Sequence, residues 1–227
     1  MISGQLTRIM KTLLVKRIDS SFYAFKQSLH RFMKATEAMV SMFEKGRIFI
    51  APNLPVSEMV NDEREDELME MVLEQSVDDP TIDVCSPDDF EPEFLPGLKH
   101  DYELLKELDA AWQKVTSDPK LDKFINYLNS SLLSKEINPQ SKLVVFSESK
   151  ETTQYLMEEL PKHIPYRILS VDSSSRKDRM PIVRKNFDAN IPPSEQEDRY
   201  DIILTTEVLA EGVNLHRANV IVNYDTP

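Results

Sequence analysis

Short apolar segments alternate with helical segments in the C-terminal part of the chain, from about Asn138 onward. The runs KLVVF, RILSV, DIIL and NVIVNY have the length and the β-branched content of buried strands. The segments ETTQYLMEELPKH and SRKDRMPIVRKNF, which separate the first three runs, have the spacing of helices. Because strands joined by helices form right-handed crossovers, the pattern predicts an α/β fold with an open parallel sheet in residues 140–227.

The first half of the chain has the period of helices instead. Between Leu6 and Phe43, apolar residues recur three and four positions apart, which is typical of one face of a long helix. A new helix is predicted to begin after Asp118, because an aspartate followed by proline is a favourable cap and first helical position. The sequence therefore predicts a mainly α-helical region in residues 1–117 and an α/β domain in residues 118–227.

The net charge of −12 is concentrated in one segment. Residues 58–109 contain 19 Asp and Glu residues against three basic residues, whereas residues 1–34 carry seven basic residues and one acidic residue. Within the acidic segment, residues 77–97 contain four prolines and little apolar surface to offset the entropy of ordering. We expect an irregular, mobile acidic loop there. The acidic segment is either a solvated surface or the binding site of a protein partner.

Composition disfavours several classes of site. Cys85 is the only cysteine, so no intrachain disulfide can form, and we expect a free thiol without a catalytic role. The four histidines lie far apart in the sequence, which disfavours a metal site. No apolar run reaches the roughly 18 to 20 residues needed to cross a membrane, and the N-terminus does not resemble a signal peptide. The sequence thus predicts a soluble, cytoplasmic protein without a membrane partner.

Polar loops follow three of the predicted strands: SESKETT, DSSSRKDR and TTEVLAEGVNLH. In an open parallel sheet, such loops share the edge at which ligands bind. Their hydroxyl groups and the side chains of Arg176, Lys177 and Arg179 suit a phosphate ligand. Gly212 is the only glycine after Gly97, so it is expected to adopt a left-handed conformation or to admit another group close to the backbone.

These segments together resemble the second RecA-like lobe of superfamily 2 helicases and translocases, in the branch that includes chromatin-remodeller and RapA-like ATPases. TTEVLAEGVNLHRANVIVNYDTP resembles motif V and the strand after it, and KLVVFSESKETTQYLMEEL resembles motif IV with its helix. SSSRKDRMPIVRKNF resembles the segment between the two motifs, and DPKLDKFINYL resembles the helix that introduces the lobe. The resemblance covers about residues 118–227. LLVKRIDSSFYAF is loosely similar to the stretch that links the two lobes in large bacterial members.

The resemblance implies roles for residues at the ends of the strands. Phe146 and Ser147 are expected beside the nucleic-acid track, and Thr206 corresponds to the motif V threonine that contacts a backbone phosphate. A hydroxyl group at a strand end is chemically suited to bind a phosphate oxygen. DNA or RNA is therefore the expected partner, and the sequence does not distinguish between them.

Three further residues match the motif V turn that faces the nucleotide in the family, namely Glu211, Gly212 and Asn214. Two positions depart from the family pattern. Glu207 stands where aspartate is commoner, and Asp172 with Ser173 stands where a glycine usually follows the strand. The second departure weakens the expectation of a backbone contact to phosphate at that turn.

The family continues beyond its D-x-P sequence with a motif VI helix that bears an arginine finger, whereas this sequence ends at Pro227. A phosphate-binding lysine loop is also absent. The resemblance therefore implies an internal piece of a longer ATPase that uses ATP and Mg²⁺ and pairs with the first RecA-like lobe of the same polypeptide. We expect no catalytic residues and no ATP hydrolysis in this chain alone.

Two alternatives remain open at the level of the sequence. The first is a non-enzymatic protein-interaction module, in which the acidic segment and the long amphipathic helix bind a partner and the α/β part is a scaffold. The second is a Rossmann-like domain that binds a small molecule. The second is disfavoured because neither GxGxxG nor GxxxxGK(S/T) occurs in the sequence.

Overall fold

A computed structural model of the chain describes residues 2–210 and 212–225. The helices are α1 (Ile2–Ser20), α2 (Phe22–Lys45), α3 (Val56–Asn61), α4 (Glu65–Gln75), α5 (Phe94–Gln113), α6 (Pro119–Tyr127), α7 (Lys150–Glu159) and α8 (Arg176–Phe187). The strands are β1 (Ile48–Ile50), β2 (Asp83–Cys85), β3 (Leu143–Phe146), β4 (Ile168–Val171), β5 (Ile202–Thr205) and β6 (Val220–Asn223). Among the helices of the described residues, none is long and apolar enough to span a membrane.

The four C-terminal strands form one sheet in the order β4-β5-β3-β6, and every neighbouring pair is parallel. The predicted α/β fold and its parallel sheet are therefore confirmed. Strands β3 and β5 lie in the centre, and their side chains are buried on both faces, as expected for a parallel sheet between two layers of helices. β6 is an edge strand in which half-buried and exposed residues alternate.

Two apolar cores cover the opposite faces of this sheet. Helices α6 and α7 cover one face, in a cluster that includes Leu121, Phe124, Leu156 and Leu160 with Leu143, Val145, Ile202 and Leu204. Helix α8 covers the other face, in a cluster that includes Val183 and Phe187 with Val144, Leu169, Val171 and Ile203. The start of α6 agrees with its sequence signal, because the Asp118 carboxylate accepts hydrogen bonds from the backbone amides of Lys120 and Leu121 at 3.1 Å each.

The chain divides into two compact units, residues 1–25 with 117–227 and residues 26–116. This differs from the predicted division at residue 117, because the first 25 residues belong with the parallel sheet. Tyr23 stacks on Tyr155 of α7 with ring centroids 5.2 Å apart, and the hydroxyl groups of Ser20 and Ser21 lie 2.7 and 2.8 Å from that of Thr152. The helical period of the N-terminal segment contains no signal for these long-range contacts.

Residues 26–116 are not all helical, since β1 and β2 pair in an antiparallel arrangement. The irregular acidic loop expected at 77–97 is wrong in part, because it contains β2, a short 3₁₀ turn at Pro87–Asp89 and the start of α5. Ile82 is buried, and the Phe90 ring lies 4.9 Å from that of Phe43. Two apolar anchors and local capping therefore order a segment whose proline and carboxylate content predicted disorder.

One carboxylate of this segment takes part in a local helix cap. The Ser86 hydroxyl accepts a hydrogen bond from the Asp88 amide, and the Asp89 carboxylate accepts one from the Ser86 amide at 2.8 Å.

Cys85 lies in β2 and is half-buried. Burial raises the pKa of the Cys85 thiol, and the negative charges of Asp83 and Asp89 raise it further, so the reactive thiolate is disfavoured.

A partly buried polar network lies at the amino-terminal edge of the parallel sheet. The Lys142 side chain is 2% exposed, and its ammonium group donates to the Tyr200 carbonyl at 2.8 Å and pairs with Asp198 at 3.1 Å. Burial lowers the pKa of Lys142, which the neighbouring carboxylate of Asp198 opposes. Arg217 also pairs with Asp198, at 2.6 Å. The Arg217 guanidinium donates to three backbone carbonyls, those of Lys185, Asn186 and Glu197.

Candidate functional site

The carboxyl ends of the four parallel strands lie side by side. Thr205 of β5 is in register with Val171 of β4 and Phe146 of β3, and Phe146 is in register with Asn223 of β6. The three polar loops predicted to share one edge therefore do so, as the register of a parallel sheet requires. This carboxyl edge is the candidate site.

The loop after β3 is held by an internal hydrogen-bond network. The Ser147 side chain is buried, and its hydroxyl group donates to a carboxylate oxygen of Asp225 at 2.8 Å. The same oxygen of Asp225 accepts a hydrogen bond from the Glu148 amide, and the Ser149 amide donates to the Ser147 hydroxyl at 3.2 Å. The Ser147 hydroxyl is thus engaged inside the protein, and its structural role is to fix the loop.

Thr206 differs from Ser147 in this respect. It is half-buried, directly follows β5 and precedes the short 3₁₀ turn at Glu207–Leu209. Its carbonyl accepts hydrogen bonds from neighbouring residues, but its hydroxyl group makes none with any described residue. Thr206 opens onto a surface recess of about 580 Å³ that is also lined by Lys16, Glu148, Lys150 and Glu207.

Both lysines of this recess are paired with carboxylates. Lys150 lies 2.9 Å from Asp172, and Lys16 lies 3.4 Å from Glu148. Asp172 also accepts hydrogen bonds from the side chain of Ser174 and from the side chain and amide of Ser175. Hydrogen bonds from Ser174, Lys150 and Ser175 hold the pKa of Asp172 well below its ordinary value. The turn that lacks the family's glycine is therefore organised by a fixed carboxylate.

A second cavity of about 530 Å³ lies against β3 and β6. Phe146 and Ile221 contribute to its apolar lining, and Glu148, Glu207 and Asp225 contribute carboxylates. Ile221 is 67% exposed, since β6 packs on only one of its faces. One carboxylate oxygen of Asp225 is buried and has no hydrogen-bond partner among the described residues. Phe146 therefore lines this cavity, whereas Thr206 lines the polar recess.

The predicted nucleotide-facing residues are only partly placed. Glu211 lies outside the described residues. Gly212 has a φ of +72°, which confirms the left-handed conformation, and a β-carbon there would meet no atom within 4 Å. Within this chain, the glycine is thus required by its conformation and not by a close neighbour. The Asn214 side-chain oxygen accepts a hydrogen bond from the His216 amide at 3.0 Å. Its NH₂ group has no hydrogen-bond partner in the described ranges.

Several contacts at the carboxyl edge were not predicted from the sequence. Asp225 accepts the hydrogen bond of the Ser147 hydroxyl group, and Lys150 lines the same recess as Thr206. Both residues lie within the quoted motif segments, but no contact was predicted for either of them. Arg176 and Lys177 are exposed, whereas Arg179 donates to the Ser170 carbonyl and so supports the sheet. The described residues contain no group of three His, Cys, Asp or Glu side chains that could hold a metal ion.

Comparison with known proteins finds a similarity for the C-terminal part of the chain. Residues 120–227 match the family model of the helicase conserved C-terminal domain. No curated protein matches the sequence significantly. This match agrees with the resemblance of residues 118–227 to a helicase C-terminal lobe.

Two solved structures are similar over most of the chain. One is the C-terminal part of the Fun30 ATPase domain, with 14% sequence identity over 91% of this chain and a TM-score of 0.40. The other is the helicase domain of Hef from Pyrococcus furiosus, with 16% identity over 90% of this chain and a TM-score of 0.38. The match covers 59% of the first solved chain and 47% of the second.

Proposed function

We propose that residues 118–227 work as the second RecA-like lobe of an ATP-dependent nucleic-acid helicase or translocase. The family match of residues 120–227 supports this proposal, and so does the grouping of the polar loops at one edge of a parallel sheet. In this function, the carboxyl edge binds the sugar-phosphate backbone of DNA or RNA. It also faces a nucleotide that is held between this lobe and a first lobe.

The observation that carries the proposal is the environment of the Thr206 hydroxyl group. This group is positioned by the end of a central strand, is not used by the described part of the protein and lies in a recess with two lysines. A hydroxyl donor next to ammonium groups suits a phosphate oxygen. We therefore assign Thr206 the direct phosphate contact. Ser147 and Phe146 then belong to the same nucleic-acid interface. Ser147 fixes the loop after β3, and Phe146 forms part of the adjoining apolar surface.

The carboxylates of the recess set a limit on affinity. Glu148 and Glu207 line it together with Lys16 and Lys150, so its formal charge is balanced. A phosphate group must displace Glu148 from Lys16, or Asp172 from Lys150, before it gains a full ion pair. We therefore expect weak binding by this chain alone, with an affinity that falls steeply as salt is added.

ATP and Mg²⁺ are proposed to bind chiefly to the first lobe of the same polypeptide. This sequence contains no phosphate-binding lysine loop, and phosphoryl transfer depends on such a group and on a bound Mg²⁺ ion that neutralises phosphate charge. The contribution of this lobe is the turn that contains Glu211, Gly212 and Asn214. The unengaged NH₂ group of Asn214 fits an oxygen acceptor on a nucleotide, such as a ribose hydroxyl or a phosphate. The chain by itself is expected to hydrolyse no ATP.

The test uses nucleic-acid-stimulated ATP hydrolysis by a polypeptide that contains both lobes. With Thr206→Ala, the concentration of DNA or RNA that gives half-maximal stimulation should rise about tenfold to hundredfold, because one charge-assisted contact is worth roughly 1.5 to 3 kcal/mol. Thr116→Ala is the matched control, since Thr116 is an exposed threonine in residues 26–116. Equal stimulation of Thr206→Ala and wild type by both nucleic acids would contradict the phosphate assignment.

The alternative function is a protein-interaction module, and one observation favours it. Helix α5, within the acidic segment, exposes Leu104 and Leu108 one turn apart, at 51% and 42% exposure. A basic amphipathic partner would complement this acidic and apolar surface. A substitution pair Leu104→Ser and Leu108→Ser should leave nucleic-acid-stimulated hydrolysis unchanged if the helicase function is the relevant one. If the full activity of the protein in cells depends on these leucines instead, the interaction function is favoured.

A further inference from the structure

The loop after β3 is connected to the N-terminal helix through a chain of hydrogen bonds within one compact unit. An Nη atom of Arg17, near the end of α1, donates to the Ser149 hydroxyl at 2.9 Å and to the Glu151 carboxylate at 3.0 Å. Arg17 and Glu151 are both partly buried, with side chains 34% and 24% exposed. This contact joins residues that are 132 and 134 positions apart in the sequence.

Ser149 is the residue at which this connection enters the loop. Its hydroxyl group accepts hydrogen bonds from Arg17 and from the Thr152 amide at 3.3 Å, and donates to Glu151 at 3.1 Å. A hydroxyl group has one donor and two acceptor positions, so all of its hydrogen-bonding capacity is used. Ser149 is also the N-cap of α7, and Arg17 therefore helps to set the rotamer that caps this helix.

The connection continues from Ser149 to the residues that follow the neighbouring edge strand, β6. The Ser149 amide donates to the Ser147 hydroxyl, which donates in turn to Asp225 after β6. The Glu148 amide, between the two serines, donates to the same carboxylate. The conformation of the loop that leads into the Thr206 recess is thus determined by contacts at both of its ends.

A second contact between the same helices restrains the N-terminal segment. The hydroxyl groups of Ser20 and Ser21 flank the Thr152 hydroxyl, and all three residues are buried. Because Thr152 lies in the first turn of α7, the end of α1 is fixed against the helix that starts at the loop. These contacts restrain the segment, and Arg17 adds a charged donor that reaches the N-cap.

We propose that Arg17 is a positioning residue for the nucleic-acid-facing loop at residues 147–149. It acts by orienting Ser149, which fixes the backbone of Glu148 and the hydroxyl group of Ser147. This role in binding rests on the proposed function of the carboxyl edge. The positioning itself does not depend on that function and is measurable without nucleic acid.

The first experiment measures amide hydrogen exchange in the 227-residue chain. Arg17→Ala should speed the exchange of the Glu148, Ser149 and Thr152 amides by about tenfold. Loss of the charged donor releases the Ser149 hydroxyl group that accepts from the Thr152 amide, and so loosens the loop that holds the other two amides. Arg17→Lys should restore at least part of the protection, since a lysine reaches one of the two acceptors as a point charge. Arg167→Ala, which removes the Arg167–Asp201 pair at the opposite edge, is the matched control and should leave these three amides unchanged.

Two results would overturn the proposal. One is unchanged exchange at Glu148 and Ser149 in Arg17→Ala, and the other is a uniform rise across β3 and β5, which would indicate a general loss of stability. Arg17→Lys that exchanges as fast as Arg17→Ala would likewise contradict a specific role of the charged donor.

The second experiment separates positioning from the proposed function. In a polypeptide with both lobes, Arg17→Ala should raise the nucleic-acid concentration for half-maximal ATP hydrolysis several-fold, because one contact to the nucleic acid is weakened. The maximal rate should not change. If wild type shows no stimulation by DNA or RNA, the proposed function fails while the exchange result still decides the role of Arg17. If wild type is stimulated and Arg17→Ala does not differ from it, the binding role of Arg17 is overturned.

Discussion

The two edges of the parallel sheet use their polar groups in opposite ways. At the amino edge, Lys142 and Arg217 donate their hydrogen bonds to backbone carbonyls and to Asp198. At the carboxyl edge, the Thr206 hydroxyl, the Asn214 NH₂ group and one oxygen of Asp225 have no partner among the described residues. Ser147, Lys150 and Asp172 at the carboxyl edge are paired as well. Polar groups that support a fold are normally paired, so we propose that the unpartnered groups of the carboxyl edge are available for a ligand.

This comparison predicts how substitutions at the two edges divide between stability and binding. A change at the amino edge should lower the free energy of unfolding and affect binding only through the loss of folded protein. A change at an unpartnered side chain of the carboxyl edge should leave folding nearly intact and act on binding. The separation is expected because the unpartnered groups contribute little to the packing of the lobe.

The largest effect on stability is expected for Arg217→Ala. Its side chain is 11% exposed and donates to three carbonyls as well as to Asp198, so the substitution removes the donor from the partly buried carbonyls of Asn186 and Glu197. We expect a loss of about 2 kcal/mol in the free energy of unfolding. Native-state hydrogen exchange of the β3 and β5 amides measures it within this unit.

Arg199→Ala provides the control for Arg217→Ala. The Arg199 side chain is 64% exposed and pairs with Glu197 on the surface, where ion pairs contribute less than about 1 kcal/mol. A loss for Arg217→Ala no larger than that for Arg199→Ala would show that the amino edge is not the structural edge of the lobe.

A smaller effect on stability is expected at Gly212, a residue of the carboxyl edge whose backbone has a left-handed conformation. Gly212→Ala should cost about 1 kcal/mol of stability, because alanine is strained at the positive φ of this residue even though space is available. Gly212→Asn should cost less, since asparagine tolerates the left-handed region better. Thermal unfolding of the three proteins tests this order, and equal stability of alanine and glycine would contradict the role of conformation.

The smallest effect is expected from acid, at the turn between β4 and α8. The pKa of Asp172 is lowered in the folded protein, so its stabilisation is present above the ordinary value of about 3.9 and is lost as the pH falls toward the lowered value. The Ser174 and Ser175 amide resonances should therefore stay constant from neutral pH through the ordinary carboxyl value of about 3.9 and shift only at still lower pH. Asp172→Asn should abolish the shift, and an identical shift in that variant would exclude Asp172 as its source.

Local signals in the sequence predicted the elements of the lobe but not the contacts between them. The four strands and the Asp118 cap follow from patterns a few residues long, and these predictions are confirmed. The placement of residues 1–25 and the ordering of 77–97 were missed. The placement of residues 1–25 depends on contacts between distant positions, and the ordering of 77–97 depends on single buried residues such as Ile82. A periodic sequence pattern contains no information about either.

The candidate site shows the same limit. The resemblance to the helicase family brought attention to Ser147 and Thr206, but it could not distinguish a hydroxyl group that is used internally from one that is free. The Ser147 partner, Asp225, is 78 positions away and contacts it only after the sheet has formed. Arg17 and Ser149 are still farther apart in the sequence. Which polar groups remain available for a ligand is therefore a property of the folded lobe.

The most direct test of the account is a nuclear magnetic resonance titration of the chain with short DNA and RNA duplexes and single strands. The account predicts salt-sensitive amide shifts at residues 147–150 and at Thr206 and Glu207, and none at Lys142, Asp198 or Arg217. Weak binding is sufficient for this measurement. Shifts confined to the amino edge or to residues 26–116, or no shifts with any nucleic acid at low salt, would contradict a nucleic-acid interface at the carboxyl edge.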